Sequence, residues 1–145
     1  MITLEKISIF ELPKLVEISY KDDYDLLSKY WGEDLSLIEA VNETMNAIKK
    51  YQEETNMQHC MVVNDGEEIG YVSFFPNNLY SFGININHRT KEILEEFWEA
   101  IKDILGDNFI CLLFPQNTRA INFLKKCGMV EIEGIEQNCT TLLNI

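Results

Sequence analysis

The sequence predicts one α/β domain: a mixed sheet with helices on both faces. Three observations carry this. Residues 58–87 read as a meander of three strands joined by tight turns. Residues 90–105 form an amphipathic helix followed at once by an apolar run, 109–114 (FICLLF), which is the pattern of a parallel crossover. The chain has 145 residues, a length at which a single core buries about 68–70% of the unfolded surface and no disulfide or metal staple is required. Residues 1–145 are therefore read as one domain.

The elements follow in order. Residues 2–8 (ITLEKIS) are a first strand. Residues 11–20 are a helix with Leu12, Leu15, Val16 and Ser19 on one side, starting near Glu11 because Pro13 is tolerated only in a first turn. A short second helix is expected around Tyr24–Tyr30, ended by Gly32. Ser36 and Glu39 form an S-x-x-E capping box. Ile38, Val41, Met45 and Ile48 then recur at helical spacing to about Glu53. Strands at 58–64 and 68–75 flank the turn pair Asp65-Gly66, and Pro76, Asn77 and Asn78 make the next turn.

Residues 79–87 alternate. Tyr80, Phe82, Ile84 and Ile86 face one way, and Ser81, Gly83, Asn85 and Asn87 the other. In 90–105, Ile93, Leu94, Phe97, Trp98, Ile101, Ile104 and Leu105 make an apolar stripe, with Thr90 as N-cap and Gly106 as the terminating glycine. The run 109–114 has the composition of a strand buried on both faces. Asn117 or Thr118 caps a helix that stops at Gly128, and 129–135 and 139–145 are two last strands.

Charge and cysteine usage narrow the function classes. With 24 acidic residues against 12 basic ones, the net charge of −12 repels phosphate backbones and anionic membrane surfaces, so neither nucleic acid nor membrane is an expected partner. The same charge favours cationic partners such as amines, or simply keeps the protein in solution. No apolar run nears the roughly 18 residues needed to span a bilayer, and Met1 to Phe10 has no secretory-leader pattern. A cytoplasmic location is the expectation. Cys60, Cys111, Cys127 and Cys139 are widely spaced without a C-x-x-C pair, which points to core thiols rather than a metal site. The basic residues Arg89, Lys91, Lys102, Arg119, Lys125 and Lys126 concentrate in 88–126, the region where an anionic ligand would bind.

This element order resembles that of the GNAT superfamily of acetyltransferases over about residues 2–144. The segment from Asp65 to Val72 is similar to the family's hairpin D-G-x-x-h-G-h-h. The segment from Asn117 to Met129 is similar to its N-x-x-A-x-x-F-Y-x-K-x-G-F signature at Asn117, Ala120, Phe123, Lys126 and Gly128. The resemblance implies acetyl-CoA between strands 79–87 and 109–114, with its pyrophosphate on the N-terminus of helix 90–105, where unpaired N–H groups and the helix dipole favour an anion.

The residues it implies as cofactor contacts are Ile84, Ile86, Arg89, Thr90, Lys91, Asn117 and Arg119. Arg89 and Lys91 serve equally well as solvated first-turn residues, Asn117 as a helix cap, and Arg119 as a side chain in solvent. His88 is the one candidate acid–base residue, since imidazole titrates near neutrality; a structural role is its alternative, and His59 is given no special role. Tyr20, Asp22, Asp23, Tyr24, Tyr30 and Trp31 fall where the family covers its acceptor site, and acidic and aromatic groups together suit a cationic amine.

The sequence departs from the family where the chemistry is. The R/Q-x-x-G-x-G/A loop is replaced by Asn87-His88-Arg89-Thr90-Lys91-Glu92, which has no glycine. Leu124 stands where many members carry a general-acid tyrosine, and the fourth strand offers Ser81, Gly83, Asn85 and Asn87 instead of a carboxylate base. Two readings follow. One is an N-acetyltransferase acting from acetyl-CoA on a primary amine of a small molecule or peptide, by direct transfer. The other is a non-catalytic binding or assembly module on the same fold; the chain is also similar to short GNAT-like proteins of phage genomes.

Overall fold

The computed structural model describes residues 1–25, 28, 34–133 and 139–144. Seven strands form one mixed sheet: β1 (Ile2–Ile7), β2 (Gln58–Asn64), β3 (Glu67–Phe75), β4 (Asn78–Ile84), β5 (Phe109–Leu113), β6 (Val130–Ile132) and β7 (Thr140–Asn144). Their spatial order is β1-β2-β3-β4-β5-β7-β6. Only β4 and β5 run parallel; every other pair is antiparallel. The helices whose bounds fall within the described residues are α1 (Leu12–Tyr20), α2 (Leu37–Gln52), α3 (Lys91–Leu105) and α4 (Thr118–Lys126). The short helix expected around Tyr24–Tyr30 lies largely outside the described residues, as does the segment 134–138.

Local chemistry sets the element ends. Ser36 accepts from the Glu39 N–H while the Glu39 carboxylate accepts from the Ser36 N–H, the reciprocal box expected from sequence. Thr90 caps α3 through the Ile93 N–H, and Asn117 caps α4 through the Ala120 N–H. At the end of α4, the Gly128 N–H reaches the Lys125 carbonyl and the Met129 N–H reaches that of Leu124. Gly128 has φ +104° there, a backbone shape that suits glycine. Asp65 and Gly66 both take positive φ, so the β2–β3 turn carries the twist that a two-residue hairpin needs.

The core has two parts. On one face, α3 and α4 bury Phe97, Trp98, Ile101, Ile121 and Leu124 against Val72, Leu79, Ile84, Phe109, Cys111 and Leu142. On the other, α1 and α2 bury Leu12, Leu15, Val16, Met45 and Ile48 around Tyr71.

Four sequence expectations need correction. Ile38 is 71% exposed, and Ala40 and Thr44 line the buried side of α2 with Met45 and Ile48, because the apolar stripe starts two residues later than its first isoleucine. β4 ends at Ile84, and Ile86–His88 is a single 3₁₀ turn. Asn85 breaks the strand, since its side chain accepts from the Asn87 N–H and substitutes for a ladder bond. Tyr80 does not share a face with Phe82. The register with β3 shifts between Ser73 and Phe74, so Tyr80 is a bulge residue and packs with Tyr51 and Phe75 on the α2 side. Finally, β5 buries only Phe109, Cys111 and Leu113; Ile110 and Leu112 are half-covered, as α1 packs chiefly over β3 and β4.

Cys60 and Cys111 are core residues, and Cys127 is half-buried. Burial pushes the Cys111 thiol up to about 12 and Cys127 to about 11, which keeps both protonated and unreactive near neutrality.

His59 is buried between α2 and the sheet. Its Nε2–H donates to Gln52 Oε1 at 2.7 Å and its Nδ1 accepts from Ser73 Oγ at 2.8 Å. Burial lowers its pKa from the ordinary 6.5. A group whose pKa is lower folded than unfolded contributes stability that is complete above the unfolded value and is lost as pH falls through the folded one. Urea midpoints should therefore drop between pH 7 and pH 5, and the drop should shrink in His59→Gln. An equal pH dependence in the two proteins would show that His59 is not its source.

Gly70 sets the spacing of β3 and β4, since a Cβ there would strike the Gly83 carbonyl oxygen. Backbone cannot rotate aside as a side chain can. Gly70→Ala is expected to cost about 1–3 kcal/mol by chemical denaturation.

Candidate functional site

The site is a gap in the sheet. β4 and β5 pair only at Asn78↔Ile110 and Leu79↔Cys111, with the Ile110 N–H bonded to the Asn77 carbonyl. The bulge residue Tyr80 follows the last paired position immediately, and a bulge bends its strand. Beyond it the strands part. The Asn85 N–H binds the Ile69 carbonyl on β3, so strand alternation turns the N–H groups of Phe82 and Ile84 the other way, toward the gap. The Ile84 carbonyl points there too, and it accepts from Arg89 Nε at 2.8 Å.

At the mouth of the gap lie the N-termini of α3 and α4. Their first-turn N–H groups have no acceptor inside the helix. The two arginines at these ends converge on one carboxylate: Arg89 Nη2 is 3.0 Å and Arg119 Nη1 2.9 Å from Asp23 Oδ2. The Asp23 side chain is only 7% exposed, and its Oδ1 is buried with no hydrogen-bond partner among the described residues. The preceding residue is also tied down. Asp22 Oδ2 accepts from Asn85 Nδ2 at 2.7 Å and Asn87 Nδ2 at 3.0 Å, and Asn85 Nδ2 also donates to the Ile18 carbonyl. The turn after α1 is thus fastened across the end of β4.

Beneath this turn runs a chain of hydroxyls. Tyr20 Oη is 2.6 Å from Tyr71 Oη, which is 2.7 Å from Ser81 Oγ on β4. Burial raises the Tyr20 pKa, and that of Tyr71 well above 10, so both phenols stay neutral. Gly83 makes room here: a Cβ would press on the Ser19 side chain and the Tyr71 ring.

The residues singled out by sequence are distributed as follows. Ile84, Arg89, Thr90, Lys91, Asn117 and Arg119 gather around the mouth of the gap, with Ile86 in the 3₁₀ turn above it. The side-chain oxygens of Thr90 and Asn117 are engaged as helix caps. Lys91 is 89% exposed and faces Glu95 at 4.0 Å, so it can swing to a ligand at little cost. Arg119 is exposed, as expected, and its guanidinium also reaches Asp23 beside Arg89. His88 stands apart: its Nε2 lies 3.6 Å from Glu67 Oε1 at the start of β3, across β4 from the gap. The sequence groups Asp22 and Asp23 with an acceptor-covering region; the structure gives them specific partners on β4, α3 and α4. Tyr71 and Ser81 read only as strand residues in sequence, and nothing in their spacing marks the hydroxyl chain. Tyr30 and Trp31 lie outside the described residues.

No family model and no curated protein matches the sequence. Solved structures do. An acetyltransferase from Thermus thermophilus superposes with a TM-score of 0.73 at 11% identity, over 99% of this chain and 96% of that one. The aminoglycoside acetyltransferase AAC(6')-Ib, solved with coenzyme A, gives 0.69 at 15% identity over 99% and 94%. The GNAT domain of S. lividans PAT gives 0.62 at 12% identity over 97% and 88%. The architecture is therefore that of the acetyltransferase fold, end to end.

Removing the central hydroxyl tests the chain beneath the turn. Tyr71→Phe leaves Tyr20 and Ser81 each short of a partner in a buried setting, and should cost about 1–3 kcal/mol by urea denaturation. A neutral substitution would mean that the two neighbours re-pair with each other or with water.

Proposed function

We propose, for a chain with the GNAT fold, that it is an N-acetyltransferase carrying the acetyl group of acetyl-CoA to a primary amine. The observation that supports this reading best is the gap between β4 and β5. It presents the N–H groups of Phe82 and Ile84, which have no strand partner among the described residues, and opens onto the helix ends that hold Arg89 and Arg119. An extended amide-bearing ligand can lie along such an edge as an added strand does. A strand N–H facing the thioester carbonyl would stabilise the oxyanion that forms when the amine attacks. The tetrahedral adduct then expels the coenzyme A thiolate, which takes up a proton.

The acceptor class follows from charge and likeness. The acidic chain attracts cations. Among similar structures, AAC(6')-Ib is an aminoglycoside acetyltransferase, and RimL, an α-N-protein acetyltransferase of ribosomal L7/L12, was solved with coenzyme A. A small-molecule or peptide amine is the acceptor we infer, and the cytoplasm is the compartment we infer for the reaction. No described helix is long and apolar enough to cross a membrane.

With His88 beside Glu67 at 3.6 Å, water is the acceptor of the amine proton that we infer, and His88 the alternative. The transfer rate should therefore climb with pH toward the pKa of the acceptor amine, and His88→Ala should leave that profile in place. A rate that is abolished in His88→Ala would return the base role to His88.

One observation favours the non-catalytic alternative. Arg89 and Arg119 at the mouth are already engaged by Asp23, and the loop lacks the glycines that bring backbone N–H groups close to a pyrophosphate. Losing two charge-assisted hydrogen bonds weakens binding about a hundredfold or more, which moves a micromolar ligand to about 100 µM. Calorimetry with acetyl-CoA decides between the readings. The enzyme reading predicts saturable binding at about 0.1–1 mM, together with coenzyme A release in the presence of an amine. Absence of binding at several millimolar would leave the binding module.

A further inference from the structure

The Asp23 bridge has more reach than a surface ion pair. Its carboxylate is buried and joins groups from two elements on opposite sides of the gap: Arg89 at the start of α3 and Arg119 in α4. Both guanidinium groups address one oxygen, Oδ2, while Oδ1 has no hydrogen-bond partner among the described residues. A ligand phosphate, with three or more acceptor oxygens, would satisfy the same two forks more fully. The turn that delivers Asp23 is held at two further points, Asp22 on Asn85 and Asn87, and Tyr20 on Tyr71. Neither of those involves a positively charged group, so an incoming anion has no reason to break them. Only the Asp23 contact competes with it.

We propose that Asp23 is an internal counter-anion that occupies the Arg89–Arg119 pair in place of a ligand phosphate. Phosphate occupancy of the pair and the Asp23 contact then exclude each other, while Asp22 and Tyr20 keep the turn in place. The inference goes beyond the acetyltransferase reading, because any phosphate-bearing ligand of the gap obeys it. In the free protein the pair is occupied by the chain's own carboxylate, and a ligand phosphate binds at the cost of that contact.

Calorimetry with inorganic pyrophosphate and with coenzyme A, on the full chain, tests this. Asp23→Asn removes the charge with little change in shape and should bind pyrophosphate at least tenfold more tightly than the wild-type chain. Arg89→Ala in the Asp23→Asn background should abolish the gain. Glu92→Gln removes one negative charge from the exposed first turn of α3, and should gain much less than tenfold. Circular dichroism and a thermal melt confirm that each variant is folded. A tenfold gain for both pyrophosphate and coenzyme A supports the counter-anion and the cofactor together. A gain for pyrophosphate alone supports the counter-anion and speaks against coenzyme A as the ligand. Equal gains in Asp23→Asn and Glu92→Gln would reduce the effect to general electrostatics and overturn the proposal. So would unchanged or weaker pyrophosphate binding in Asp23→Asn.

Discussion

The parting of β4 from β5 is the constraint on which the rest of the molecule depends. Parallel strands need a crossover, and α3 supplies it: fifteen residues whose Phe97, Trp98 and Ile101 are buried against the sheet. That packing holds the two strands as neighbours. The bulge at Tyr80 then bends β4 directly after its last paired residue, Leu79. The sheet therefore stays continuous at one end and opens at the other, and the opening falls where α3 and α4 begin. The groups at the candidate site are placed by this one divergence. The N–H groups of Phe82 and Ile84 lose a strand partner. Arg89 turns back to the Ile84 carbonyl. The turn after α1 is drawn across the end.

Electrostatics then decide how the opening behaves. Two arginines meet one aspartate there, in a chain of net charge −12. A buried ion pair is weak evidence of stability, because desolvation offsets much of the attraction. Here one carboxylate oxygen is left without a partner among the described residues, which makes the arrangement less favourable than its short distances suggest. The same geometry that shields the arginines in the free protein leaves them preorganised for another anion. A fold shared with acetyltransferases and an arginine pair that is occupied by the chain itself are compatible on these terms.

Much of the fold is legible in the sequence because local chemistry and pattern agree. The Ser36–Glu39 box, the Asp65-Gly66 turn, Thr90, Asn117 and Gly128 are short-range devices, each readable from a few residues. The order of strands and helices follows from periodicity, and the α3 stripe from its spacing. The errors occur where a tertiary contact overrides pattern. Tyr80 alternates perfectly with Phe82 in sequence, yet the bulge puts it on the other face. The apolar run of β5 looks doubly buried, but Ile110 and Leu112 on its second side are only half-covered. The site is legible only as an address. Arg89 and Arg119 are correctly placed near the helix ends, but their shared partner Asp23 is distant in sequence, 96 positions from Arg119. No short-range pattern reports such a contact. His88 stands out in sequence for its chemistry alone, and the 3₁₀ turn after Ile84 aims it at Glu67.

Amide exchange of β4 tests the central claim most directly. In the free protein, the N–H groups of Phe82 and Ile84 should exchange faster than those of Gly83 and Asn85, which face β3. Saturating acetyl-CoA should shift the resonances of Phe82 and Ile84 and slow their exchange, because the ligand takes the place of the missing strand. If these two amides are already protected in the free protein, or if acetyl-CoA leaves them unchanged while perturbing residues elsewhere, then the gap between β4 and β5 is not the acyl-carrier site.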